Sequence, residues 1–170
     1  MSSDPIHPAV RVGHVHLKVA DLDDAIAFYR DALGLGVTAD ARSAGIPAAF
    51  LAAGDYHHHI ALNTFESAGA AQPRSGHTGL YHIAFRYPDR EELGRAVQRL
   101  IDRGWPIDHA SDHGATVSVY LADADGNGIE LYYDRPRADW FDSDGRPLLK
   151  VERVDVRDLL PHRETTTTGS

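Results

Sequence analysis

The chain has no cysteine. Disulfides and thiolate ligands are therefore unavailable, and any metal site must be built from His, Asp, Glu or Tyr. No apolar run approaches the ~20 residues that crossing a bilayer requires, and the opening MSSDPIHPAVRV lacks the apolar stretch of a secretion signal. Positive charge is scarce: 17 Lys and Arg stand against 25 Asp and Glu, a net charge of −8 at pH 7. That balance argues against partners such as nucleic acid or an acidic membrane surface. These absences point to a soluble, cytoplasmic protein with no nucleic-acid and no membrane partner. Its 170 residues suffice for one domain with a sizeable core, or two small modules sharing one.

Histidine, in contrast, is abundant, with 11 copies. His14, His16, His57, His58, His59, His82, His109 and His113 all fall in or beside candidate strands. Taken singly, each reads as a partly exposed or hydrogen-bonded packing residue. The run DYHHHIALNTF (55–65) is harder to dismiss, because histidine is costly in a strand that must bury one face.

The rest of the chain reads as a repeat. VGHVHLKVAD (12–21) alternates like a strand. DLDDAIAFYRDALGLG (21–36) carries a helical stripe, can be capped by Asp21 or Asp23, and ends at Gly34 and Gly36. AAFLAAG (48–54) and HHHIALNTF (57–65) follow as two strands. The second half repeats this order: strand 79–87, helix 88–104, and strands 115–123 and 128–134 around the turn DADGNG. A weak strand is allowed after each helix, near 37–43 and 105–110. Each half is then strand–helix–strand–strand–strand, and such a unit buries its apolar faces best against its copy. The expected fold is α+β: two paired βαβββ modules forming a curved, half-open mixed β-sheet with outer helices. Module one spans about 10–65, the linker 66–78 and module two about 79–134, within a single domain of 1–140. Residues 141–170 form an extension whose tail, ending ETTTTGS, has loosely ordered composition.

The spacing singles out three ligands. His14 stands seven residues before Asp21 at a helix start, and His82 stands seven before Asp89 at the next. Glu130 lies between Ile129 and Leu131, so it points to the opposite sheet face from them. Its first-half counterpart falls on Ala61 or Leu62, neither of which binds metal. His16 shares the face of His14 and is a rival to it; the repeated offset favours His14. Two histidines and one carboxylate leave open positions on a divalent ion, which is the facial triad of non-haem Fe(II) oxygenases, whereas a structural zinc site would be closed.

These residues resemble the vicinal oxygen chelate superfamily. Within it, the chain is most similar to extradiol catechol dioxygenases, in a one-domain form. The matching pieces are GHVHLKVADLDDAIAFYRDALGL, HHHIALNTF, GLYHIAFRYPDR, DHGATVSVYLADADGNGIELYYDRP and Trp140. The resemblance implies metal ligands at His14, His82 and Glu130. It places the family's tyrosine on Tyr120, ten residues before Glu130, its acid/base histidine on His58, and a further polar residue over the substrate on His113. His57 and His59 remain alternatives to His58, since strict alternation puts His58 on the other face unless a bulge intervenes. The implied cofactor is Fe(II), with Mn(II) suiting the same ligands. The implied activity is ring cleavage of a catechol-like aromatic diol with O2. Ala124 stands where a proline is usual. Other metalloenzymes of the superfamily (isomerase, epimerase, thiol transferase) and a non-catalytic binding protein are the alternatives. Glyoxalase-type isomerases take a second carboxylate from the first module, where this chain has Ala61 or Leu62. A homodimer is common for such sheets.

Overall fold

Both helices begin where an aspartate can cap them. Asp21 accepts a hydrogen bond from the Asp24 amide (3.0 Å), and Asp89 accepts one from the Glu92 amide (2.9 Å), so each satisfies a backbone donor that the first helical turn leaves unpaired. The structure, a computed structural model, describes residues 5–74 and 76–161. It divides into two compact units: the residues up to Arg30 with Gly34–Ala71, and Asp31–Leu33 with the residues from Gln72 onward.

The first unit runs β1 (Val15–Lys18), α1 (Leu22–Ala27), β2 (Gly36–Asp40), β3 (Ala48–Ala52) and β4 (Ile60–Asn63). Past Ala27 the helix relaxes into a π-helical turn over Phe28–Ala32. The strands lie in the order β1-β4-β3-β2, with β1 parallel to β4 and the other pairs antiparallel. Leu17, Leu62, Ala49 and Leu51 are buried on one sheet face, and α1 contributes Leu22, Ala25 and Ile26 to the same core.

The second unit repeats the plan: β5 (Ile83–Tyr87), α2 (Arg90–Asp102), β6 (His109–Gly114), β7 (Thr116–Ala122) and β8 (Gly128–Asp134), in the order β5-β8-β7-β6. Again the first and last strands of the unit pair in parallel. Ile129, Leu131, Val119 and Leu121 are buried on one face with Leu93, Val97 and Leu100 of α2. Alternation leaves Glu130 and Tyr120 on the other face. The expected α+β class, with two βαβββ modules in open mixed sheets, is what the structure has.

Three boundaries differ from the sequence reading. The three histidines precede β4, which begins only at Ile60. The Thr38 hydroxyl donates to the His57 carbonyl (2.7 Å), and only the His59 amide still reaches β3, at the Leu51 carbonyl (2.8 Å). The strand expected from residue 79 begins at Ile83. The extension is more regular than its composition suggests, because β9 (Leu149–Val154) adds to β6 as a fifth strand. A short 3-10 turn over Val156–Leu159 then buries Leu159. The close approach of its backbone to α2 is possible because position 94 is glycine: a Cβ there would meet the Leu159 carbonyl oxygen. Residues 162–170, where the loosely ordered end was expected, lie outside the described residues. No helix among the described residues is long and apolar enough to cross a membrane.

Candidate active site

In the second unit the sheet register assembles four of the expected residues. Ala84 pairs with Glu130 and Tyr120 pairs with Glu130 across the other edge of β8, so His82, two residues before Ala84, shares their face. His82 Nε2 lies 2.9 Å from Glu130 Oε2. The Tyr120 hydroxyl donates to Glu130 Oε1 (3.0 Å), and His113 Nε2 lies 2.9 Å from the same hydroxyl oxygen. Since the phenol's one proton goes to Glu130, His113 must donate, which fixes its Nε2–H tautomer. Burial, with the Glu130 carboxylate adding to it, pushes the Tyr120 phenol up to about 12, so it remains a proton donor at neutral pH. His109, given no role from sequence, stacks on Tyr120 (ring centroids 4.7 Å, interplanar 18°). The available signal was register: His109 sits directly opposite Tyr120.

The first unit gathers its own histidines. His14 and His58 lie ring to ring (4.5 Å), Phe50 flanks His58 (5.1 Å), and the Nδ1 atoms of His57 and His58 are 2.7 Å apart. Partial burial, then the neighbouring imidazoles of His14 and His57, hold His58 below the usual histidine value, so it is neutral at pH 7 and able to accept a proton. His57 is exposed, whereas His59 Nδ1 receives the Ala53 amide (3.3 Å). His16, the rival to His14, is held by Asn63. Asn63 Oδ1 accepts from the Phe65 amide (3.1 Å), which leaves Asn63 Nδ2 to donate to His16 Nε2 (2.8 Å). The His16 Nε2 lone pair is thereby engaged.

Register also settles the counterpart of Glu130. His82 plus two residues is Ala84, opposite Glu130; His14 plus two is His16, opposite Ala61. The first unit offers a methyl group where the second offers a carboxylate.

Among the described residues, no group of three or more His, Asp or Glu is placed to hold one ion. The pair in the second unit nevertheless fits one. Neighbouring donors on an octahedral ion with bonds of about 2.1 Å stand about 3 Å apart, and His82 Nε2 and Glu130 Oε2 are at 2.9 Å. The buried Nδ1 of His82 has no hydrogen-bond partner among the described residues; Nε2 donates to Glu130 as the ring stands, and an ion on Nε2 would move the ring proton to Nδ1. Its placement depends on Gly128: a Cβ there would meet the Tyr81 carbonyl oxygen and lie 3.1 Å from His82 Cβ. Gly128→Ala is expected to shift the His82 segment and cost about 1–3 kcal/mol, as overpacking does. Thermal denaturation would show this as a Tm lower by roughly 2–4 °C per kcal/mol.

Comparison with known proteins finds relatives of this chain. Residues 11–131 match the model of the Glyoxalase/Bleomycin resistance protein/Dioxygenase superfamily. A catechol-2,3-dioxygenase of Bacillus subtilis (strain 168) is 36% identical over 157 residues, covering 91% of this chain and 53% of that protein. A biphenyl-2,3-diol 1,2-dioxygenase 3 of Rhodococcus globerulus is 31% identical over 124 residues, 73% of this chain and 63% of its own length. The chain thus spans less than two thirds of either relative. Among solved structures, a lactoylglutathione lyase from Agrobacterium tumefaciens superposes with a TM-score of 0.57 at 26% identity, covering 75% of this chain and 96% of that one.

Proposed function

Because the chain belongs to the Glyoxalase/Bleomycin resistance protein/Dioxygenase superfamily, we propose that it is a metal-dependent extradiol dioxygenase, which cleaves the ring of a catechol-like aromatic diol with O2. The observation that carries this reading is the unbroken contact chain His82–Glu130–Tyr120–His113, a carboxylate already shared between an imidazole and a phenol. In this reading His14, His82 and Glu130 hold Fe(II), and Mn(II) suits the same donors. A divalent metal held by these residues would supply Lewis acidity toward a diol hydroxyl and a redox-active centre for the reaction with O2.

The remaining work falls to the protein. His58, neutral at pH 7, takes the proton that a diol hydroxyl must lose and later returns one. With His58 Nδ1 donating to His57 Nδ1, the Nε2 of His58 is the atom left to take up that proton. Tyr120 and His113 stand over the same face as Glu130, Tyr120 donating to Glu130 Oε1 and His113 to the Tyr120 oxygen; in this reading the Tyr120 hydroxyl turns from Glu130 to a diol oxygen when the substrate binds. A phenol that stays protonated suits this role, since it donates without competing for the metal. Tyr120→Phe, which removes the hydrogen bond to Glu130 Oε1, is expected to lower metal affinity, turnover or both by about 10–100-fold, the usual cost of removing a residue that orients a ligand. Iron content and ring-cleavage rate measured on the same sample separate the two effects.

The isomerase reading is disfavoured by Ala61, which stands where a second carboxylate would be needed. The test is direct. Protein reconstituted with Fe(II) under anaerobic conditions, given a panel of catechols and then air, should produce yellow ring-opened products. A fully iron-loaded protein that consumes no O2 with any diol in the panel would overturn the proposal.

A further inference from the structure

β9 is the outermost strand of the second sheet, and among the described residues no strand pairs with its far side. Strand edges of this kind expose a row of backbone donors and acceptors. This one also exposes apolar side chains: Leu149 is 93% and Val151 78% exposed. Which backbone groups face outward follows from the hydrogen-bond pattern. The Arg135 amide donates to the Ala115 carbonyl (2.8 Å) and the Asp123 amide to the Asn127 carbonyl (3.0 Å) at the two ends of the β7–β8 pair. Odd-numbered residues of β7 therefore bond to β8 and even-numbered ones to β6. Carried through Tyr120↔His109 and Ser111↔Ser118, the even-numbered Ala110 and Asp112 of β6 bond toward Val154 and Glu152 of β9. Arg153, and Val151 beside the register shift that brings Gly114 opposite Leu149, are then left with N–H and C=O pointing away from the sheet.

We propose that β9 pairs antiparallel with β9 of a second copy of this chain, centred on Val151, so that two five-stranded sheets join edge to edge. The charges select this register. Outward-facing residues must meet outward-facing residues, so the choices are Val151 opposite Val151, Val151 opposite Arg153, or Arg153 opposite Arg153. The second sets Glu152 against Glu152, and the third sets two arginines against each other. Only the first sets Lys150 against Glu152 in both directions, with Val151 against Val151 between them, and opposite charges across strands are stabilising where like charges are not. Lys150 and Glu152 already lie on one face of β9, Nζ to Oε2 at 3.1 Å. The pairing is isologous, as a twofold dimer requires.

Sedimentation equilibrium of the full chain across a concentration series tests this. The wild type should show a reversible monomer–dimer equilibrium. Val151→Pro removes an outward amide that β6 does not use, a position where an edge strand tolerates proline. It should weaken self-association at least tenfold with little change in Tm. Glu152→Lys should do the same by placing Lys opposite Lys, and the swap Lys150→Glu with Glu152→Lys should restore association. A wild type that remains monomeric at every concentration would overturn the proposal, as would a dimer that neither single variant weakens.

Discussion

Replacing Glu130 by glutamine should abolish ring cleavage and most metal retention while leaving the fold intact. Glutamine keeps the size and the Oε1 acceptor that Tyr120 uses, so packing changes little. It removes the negative charge and offers the position facing His82 Nε2 an amide in place of a carboxylate oxygen. A hard divalent ion loses its one anionic protein ligand in the proposed set. The loss in metal affinity should exceed the roughly 10–100-fold that removing a merely orienting residue produces, and turnover should fall with it. Comparing iron per chain, oxygen uptake and Tm between Glu130→Gln and wild type checks all three parts. Wild-type iron retention in the variant would remove Glu130 from the ligand set.

The second large effect concerns stability. Asp112, on the sheet face opposite Tyr120, is 8% exposed and joins three segments of the second unit. It accepts from the Gly114 amide (2.8 Å), and its carboxylate lies 2.6 Å from Arg135 Nη2 and 3.1 Å from Lys150 Nζ. Truncating one partner of a buried ion pair costs roughly 3–5 kcal/mol. Here Arg135 and Lys150 keep 36% and 39% of their side chains exposed and would be partly resolvated, so Asp112→Ala should cost about 2–3 kcal/mol. At roughly 2–4 °C per kcal/mol, the Tm should fall by about 4–12 °C. The pH dependence has a definite sign. Burial by itself would raise the Asp112 carboxyl, but the Gly114 amide, Lys150 and Arg135 outweigh it and hold it below the usual aspartate value. A carboxylate depressed in the folded state stabilises above its unfolded pKa of about 3.9, and that contribution is lost as pH falls through the folded value. Asp112→Asn should therefore lose part of the wild type's sensitivity to unfolding below about pH 4. Denaturant titrations at pH 3 and pH 7 measure it.

Much of this was legible in the sequence because local chemistry fixed it. Asp21 and Asp89 cap their helices, and that common start makes the offsets of His14 and His82 comparable. Alternation around Ile129 and Leu131 put Glu130 on the face it occupies. The spacing alone left Ala61 and Leu62 open as its counterpart, and the parallel β1–β4 register decided for Ala61. Alternation misled at His57–His59, because it was applied to residues that lie before the strand, where the backbone answers to Thr38 and Leu51. The fifth strand was missed for a different reason. β9 owes its place to partners far away in sequence, Asp112 for Lys150 and Gly94 for the turn that follows, and no local pattern announces either. His109 against Tyr120 likewise became visible only once β6 and β7 were in register.

The measurement closest to the central claim is Fe(II) binding to wild type and His14→Ala, followed anaerobically by equilibrium titration. His82 and Glu130 stand together in the second unit, and the proposed ligand set adds His14 of the first. The wild type should bind one Fe(II) per chain, and His14→Ala, at unchanged Tm, should bind it at least tenfold more weakly. Unaltered affinity in His14→Ala would contradict the account.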